Sequence, residues 1–131
     1  MMTIVSLKSF GQSNIRNPSS LEKSGEIDCE NGETTFEMRI CANLKFQFSD
    51  SIMNSLYQET LLAITSDDLP TWKTEFKTSH ETWKKYREEH CRVYAKSYEG
   101  GTLQPIIYLT CMRLQTEKRI GDLRQLLTEI K

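Results

Sequence analysis

The sequence predicts an all-α protein: an up-down-up three-helix bundle stapled by two disulfides, with an irregular N-terminal tail. Three observations predict it. Apolar residues recur at helical spacing in three long stretches. Two turn signals, Ser66 to Pro70 and Glu99 to Thr102, separate those stretches. Four cysteines, Cys29, Cys41, Cys91 and Cys111, occur without any CxxC pair, which favours bridges over a structural zinc site.

A length of 131 residues suits one domain. We divide it into a polar tail, residues 1–28, and a single helical domain, residues 29–131. Charged residues make up 27% and the net charge is −1, so the balance favours neither nucleic acid nor an anionic membrane. No apolar run is long enough to span a bilayer. Nothing in the residues sets an oligomeric state.

Residues 1–33 are polar, broken by Gly11, Pro18, Gly25 and Gly32 and filled with serine and asparagine. The stretch from Glu26 to Glu37 is acidic, with Asp28, Glu30 and Glu33 and no basic residue. Acidic groups just ahead of a helix suit its dipole; the sharper reading is an acidic patch facing a basic partner.

Helix one is expected over Thr35–Thr65, capped by Thr34 or Thr35. Phe36, Ile40, Leu44, Phe48, Ile52 and Leu56 step by four, and Leu61 and Ile64 extend the face. A four-residue step drifts round a 3.6-residue helix, which brings Met53 and Tyr57 into the buried stripe. Ser66-Asp67-Asp68 caps helix two, and Pro70 fits its first turn. That helix is expected over about Leu69–Tyr98, burying Leu69, Trp72, Phe76, Trp83, Tyr86, Val93 and Tyr94. Lys84, Lys85, Arg87, Glu88 and Glu89 form its solvated side. Gly100-Gly101 supplies the stop, and Pro105 opens helix three, which runs to about Ile130 and buries Leu109, Ile120, Leu123, Leu127 and Ile130.

Folding these helices back on their turns puts Cys41, Cys91 and Cys111 at one level, with Cys29 approaching from the tail. Four cysteines allow three pairings; the expected one is Cys29 with Cys91 and Cys41 with Cys111. Two bridges imply an oxidising compartment, the periplasm or the exterior. Met1 to Phe10 does not read as a signal peptide, because a lysine interrupts a short apolar run and no small-residue cleavage site closes it.

No catalytic constellation is legible. His80 and His90 are ten apart, not four. Cys91 and His90 are neighbours that point about 100° apart on a helix. Neither GxSxG, P-loop nor Rossmann glycine patterns occur, and no cofactor or metal is expected. Asp50, Asn54, Tyr57 and Arg87 form a candidate structural polar set, with Arg87 near the surface and paired to Asp50 or a helix carboxylate.

The residues from Met38-Arg39-Ile40-Cys41-Ala42, through Asp50, Met53-Asn54 and Tyr57, to Trp83, Tyr86-Arg87 and Cys91 resemble the LprI-type lysozyme inhibitors. Gly100-Gly101, Cys111, Thr116, Arg119 and Leu123 continue the resemblance, which covers about residues 29–127. Ser79-His80 departs from the Ala-Gln common upstream of the tryptophan, and Met53 from a leucine. The resemblance implies a secreted or periplasmic protein that is not an enzyme and that binds and blocks a lysozyme-like muramidase. Alternatives are an immunity or envelope-stress protein against another peptidoglycan-cleaving toxin, or a non-inhibitory helical adaptor. Two candidate contacts follow from the residues: the turn Glu99, Gly100, Gly101, Thr102, and the acidic set Glu26, Asp28, Glu30, Glu33.

Overall fold

The computed structural model describes residues 28–32, 34–65 and 71–130. Three α-helices occupy them: α1, Thr35–Ala63; α2, Trp72–Tyr94; and α3, Gln104–Ile130. There are no strands among the described residues. The expected tail, residue 28 apart, lies outside the described residues, as do Ser66 to Pro70 with the expected cap of helix two.

Thr34 is the N-cap of α1. Its hydroxyl accepts from the Glu37 backbone N–H at 3.1 Å, and the Glu37 carboxylate accepts from the Thr34 N–H at 3.5 Å. The reciprocal pair satisfies two donors that a helix start leaves open. Just upstream, Asp28 makes a tight turn by accepting from the backbone N–H groups of Glu30 and Asn31 and from the Asn31 amide at 2.9 Å. Those donors, the Asn31 side chain first, hold the Asp28 carboxyl below its ordinary range. Thr34→Ala is expected to lower stability by about 1 kcal/mol, read by urea denaturation, and to speed hydrogen exchange at the Glu37 amide.

α2 ends at Tyr94, earlier than expected, and the chain tightens into a 3-10 turn over Lys96–Tyr98. Gly100 then adopts φ of +84°, a left-handed conformation that reverses the chain at little cost only for glycine. Pro105 falls in the first turn of α3, where its missing N–H matters least.

The largest interface joins α1 to α3, which run in the same direction with Ser49 opposite Glu117 at 3.4 Å. The backbone of α2 lies closer to α3 than to α1. The core holds Met53, Leu56 and Ile64 of the α1 segment, Phe76 of α2, and Ile120 and Leu123 of α3, with Leu127 buried below. Met53 is fully buried while Phe36 is 61% exposed, so the core face of α1 follows the drifting 3.6-residue period rather than the four-residue step. Ile40, Leu44, Phe48 and Ile52 are half-buried along its edge.

The face of α2 departs most from expectation. Tyr86, Val93 and Tyr94 are exposed. The buried row is Phe76, His80, Arg87 and Cys91, with Trp83 half-buried between them. A helix that rests on one neighbour buries a narrow stripe, and here polar groups with partners fill two of its places.

Both disulfides form, and their pairing differs from the expected one: Cys29 joins Cys41, and Cys91 joins Cys111. Cys91 and Cys111 stand ten residues either side of Gly101. Two helices folded back at that glycine therefore bring them level, with Cα atoms 5.5 Å apart. Cys29 reaches Cys41 because the Asp28 turn folds the preceding segment against the start of α1, again with 5.5 Å between Cα atoms. Cys41 is thus committed to its own end of the chain.

Candidate functional site

At mid-height of the bundle, one arginine ties all three helices. Arg87 of α2 has a side chain 7% exposed. It donates to Asp50 Oδ1 on α1 at 2.7 Å and to Thr116 Oγ1 on α3 at 2.8 Å. Its guanidinium lies over the rings of Trp83, at 4.7 Å, and Phe46, at 5.4 Å. The Thr116 hydroxyl donates onward to the Met112 carbonyl at 2.7 Å, so its proton is directed away and its lone pair faces Arg87. The expected Asp50 pairing is present, but Arg87 is buried rather than at the surface. Position 87 falls on the same helical row as Phe76, His80 and Cys91, and that spacing outweighs the charge of its neighbours.

A second cluster adjoins it. His80 of α2 is 1% exposed. Its ring is stacked on Tyr57 of α1 at 4.0 Å and on Trp83 at 5.5 Å, and Tyr57 in turn stacks on Phe76 at 5.2 Å. Arg119 of α3 reaches His80 Nδ1 at 3.0 Å and lies over Trp83 at 5.4 Å. A guanidinium only donates, so Nδ1 accepts and the neutral ring carries its proton on Nε2. That Nε2 is buried and has no hydrogen-bond partner among the described residues. Burial first, then the neighbouring cations led by Arg119, lower His80 to about 4; burial also lowers Arg119.

The structure therefore brings together Asp50, Tyr57 and Arg87 of the expected polar set, adds His80, Thr116 and Arg119 to it, and leaves Asn54 exposed on the outer side of α1. His80 escaped sequence reasoning because an isolated histidine reads as surface. Its position four residues from Phe76 and seven from Arg87 was the available signal.

Of the residues considered for partner contact, Asp28, Glu30, Glu99, Gly100, Gly101 and Thr102 are all exposed. Glu99 pairs with Lys96 at 3.3 Å. Glu26 and Glu33 lie outside the described residues. Because α1 and α3 run in parallel with Ser49 opposite Glu117, the start of α1 and the α2–α3 turn occupy the same end of the bundle. Elsewhere, His90 and Tyr94 with Ile107, Leu114 and Lys118 line an open groove between α2 and α3; Tyr86 stacks on His90 beside it at 5.3 Å.

No group of three or more metal-ligating side chains occurs among the described residues, and no helix among them is long and apolar enough to cross a membrane. What the geometry defines is a small disulfide-stapled helical module. Its interior polar groups join helices, and the segment before α1 shares one end of the bundle with the α2–α3 turn. The chain belongs to the family described as lysozyme inhibitor LprI, whose model matches residues 28–123 and so spans all four bridged cysteines. A protein from Rhizobium meliloti (strain 1021), described as uncharacterized protein R02472, is similar at 22% identity over 78% of this chain and 80% of its own length. No solved structure matches.

Proposed function

We propose that this protein binds and inhibits a lysozyme-type peptidoglycan hydrolase in the cell envelope. The observation that carries the proposal is the family match across residues 28–123, over a module whose four cysteines are all bridged. Two disulfides suit an oxidising compartment, where such a hydrolase acts. The inhibitory surface is the end of the bundle where Asp28 and Glu30 lie with the Glu99–Thr102 turn. The turn is exposed and glycine-rich, and the carboxylates suit a basic enzyme surface. Both loops are held by covalent or capping constraints, so little ordering entropy is lost on binding.

The test is a muramidase assay with the oxidised protein against c-type, g-type and i-type lysozymes. Stoichiometric inhibition of one type is expected. Glu30→Lys with Glu99→Lys is expected to weaken it at least tenfold, and more at low salt than at high salt. A folded, fully bridged protein that inhibits none of the three sinks the proposal. It would redirect attention to a dedicated peptidoglycan-cleaving toxin or to an adaptor role.

A further inference from the structure

We propose that His80 and Arg119 form an acid-sensitive latch that holds the first half of α2 against α1 and α3, and that acid opens it about the Cys91–Cys111 bridge as a hinge.

The geometry supplies both parts. Beyond the shared apolar core, Tyr57 against Phe76 and His80, and Arg87 against Asp50 and Phe46, tie α2 to α1. His80 is the member at which the ring of α1 and the guanidinium of α3 meet, at 4.0 and 3.0 Å. The groups facing it are Tyr57 from α1, Glu81, Lys84 and Arg87 from α2, and Arg119 from α3, with Asp122 acting on Arg119. Among the described residues no carboxylate lies in ion-pair contact with His80 or Arg119; Asp50 is engaged by Arg87. A proton added at Nδ1 removes the acceptor that Arg119 reaches at 3.0 Å and sets two cations face to face. The ring cannot rotate to solvent without leaving the stack. At the other end of α2, Cys91 is fully buried and covalently tied to α3, so opening is confined to the stretch before Arg87.

Opening returns His80 to an ordinary value near 6.5, whereas the closed form holds it at about 4. The open form therefore takes up a proton over this range and the closed form does not. Closure is strongest above pH 6.5 and weakens as the pH falls toward 4. Between pH 7.5 and pH 5 the opening equilibrium rises about 30-fold through this one group.

The experiment is hydrogen exchange on the oxidised full chain at pH 7.5 and 5, corrected for intrinsic exchange, beside His80→Gln. Glutamine stays neutral and still offers Arg119 an acceptor. Opening of residues 72–84 is expected to rise about 30-fold in the natural protein and less than about 3-fold in the variant, with the amides around Cys91 unchanged in both. An equal rise in both proteins, or none in the natural one, overturns the latch. Should the variant fail to fold, nitrogen NMR of the natural protein decides. A neutral His80 ring protonated on Nε2 at pH 5 supports the latch, and a ring already charged at pH 5.5 overturns it.

Discussion

Asp50→Ala is expected to destabilise the protein by about 3 kcal/mol, toward the lower end of what removing one partner of a buried ion pair costs. The loss comes less from the missing bond than from what remains. Arg87 keeps its charge with a side chain only 7% exposed, and its remaining contacts are the Thr116 hydroxyl and two aromatic faces. Those contacts hold the cost below the top of the range. Asp50 itself is 29% exposed, so Arg87→Met leaves a carboxylate that water can reach and is expected to cost less than its partner's removal. The double variant Asp50→Ala with Arg87→Met is expected to recover most of the loss, because an apolar side chain of similar length fills the slot between Phe46 and Trp83 without a stranded charge. Urea denaturation of the four proteins measures the coupling. An Asp50→Ala protein within about 1 kcal/mol of the natural one would show that water reaches Arg87 and that the tie across the helices is weak.

The second large effect is the loss of the Cys91–Cys111 bridge. It closes a loop of 20 residues, for which chain entropy alone assigns about 3.3 kcal/mol. Cys91 is fully buried and packs with Met112, so Cys91→Ala with Cys111→Ala also leaves a void, and a total of about 4 kcal/mol is expected. Cys29–Cys41 closes 12 residues, about 2.8 kcal/mol on the same reasoning. Its removal is expected to show less of that, because the short segment ahead of Thr34 is free to fray while the bundle stays folded. The pairing itself is checked by non-reducing tryptic mapping. Fragments 24–39 and 40–45 are expected to travel together, as are 88–92 and 97–113. A fragment joining Cys41 to Cys111 would refute the pairing and with it the ranking.

Much of this protein was legible before its structure. The three helices follow from apolar spacing, the reversal at Gly100 from glycine chemistry, and the start of α1 from a capping threonine at 34 or 35. Those are local properties, set within a turn or two of chain, and a sequence carries them directly. The level of Cys91 and Cys111 was equally plain, since both are equidistant from Gly101.

Their partner choice was not. It depended on whether the segment before α1 folds onto its own helix or crosses to another, and that is decided by the Asp28 turn, a contact among neighbours that composition does not announce. The burial of His80 and Arg87 was hidden for a different reason. Hydrophobic periodicity assigns apolar residues to the core, and it placed Tyr86 and Tyr94 inward and Arg87 outward and left His80 unassigned. Only tertiary structure supplies Asp50, Thr116, Tyr57 and Arg119 from the other two helices, and without those partners neither side chain could remain inside. The sequence by itself determined which segments are helices and where they turn, because those choices depend on neighbours in the chain. Which cysteines join and which polar groups are buried was decided in three dimensions, because each depends on a partner far away in the chain or on the path between.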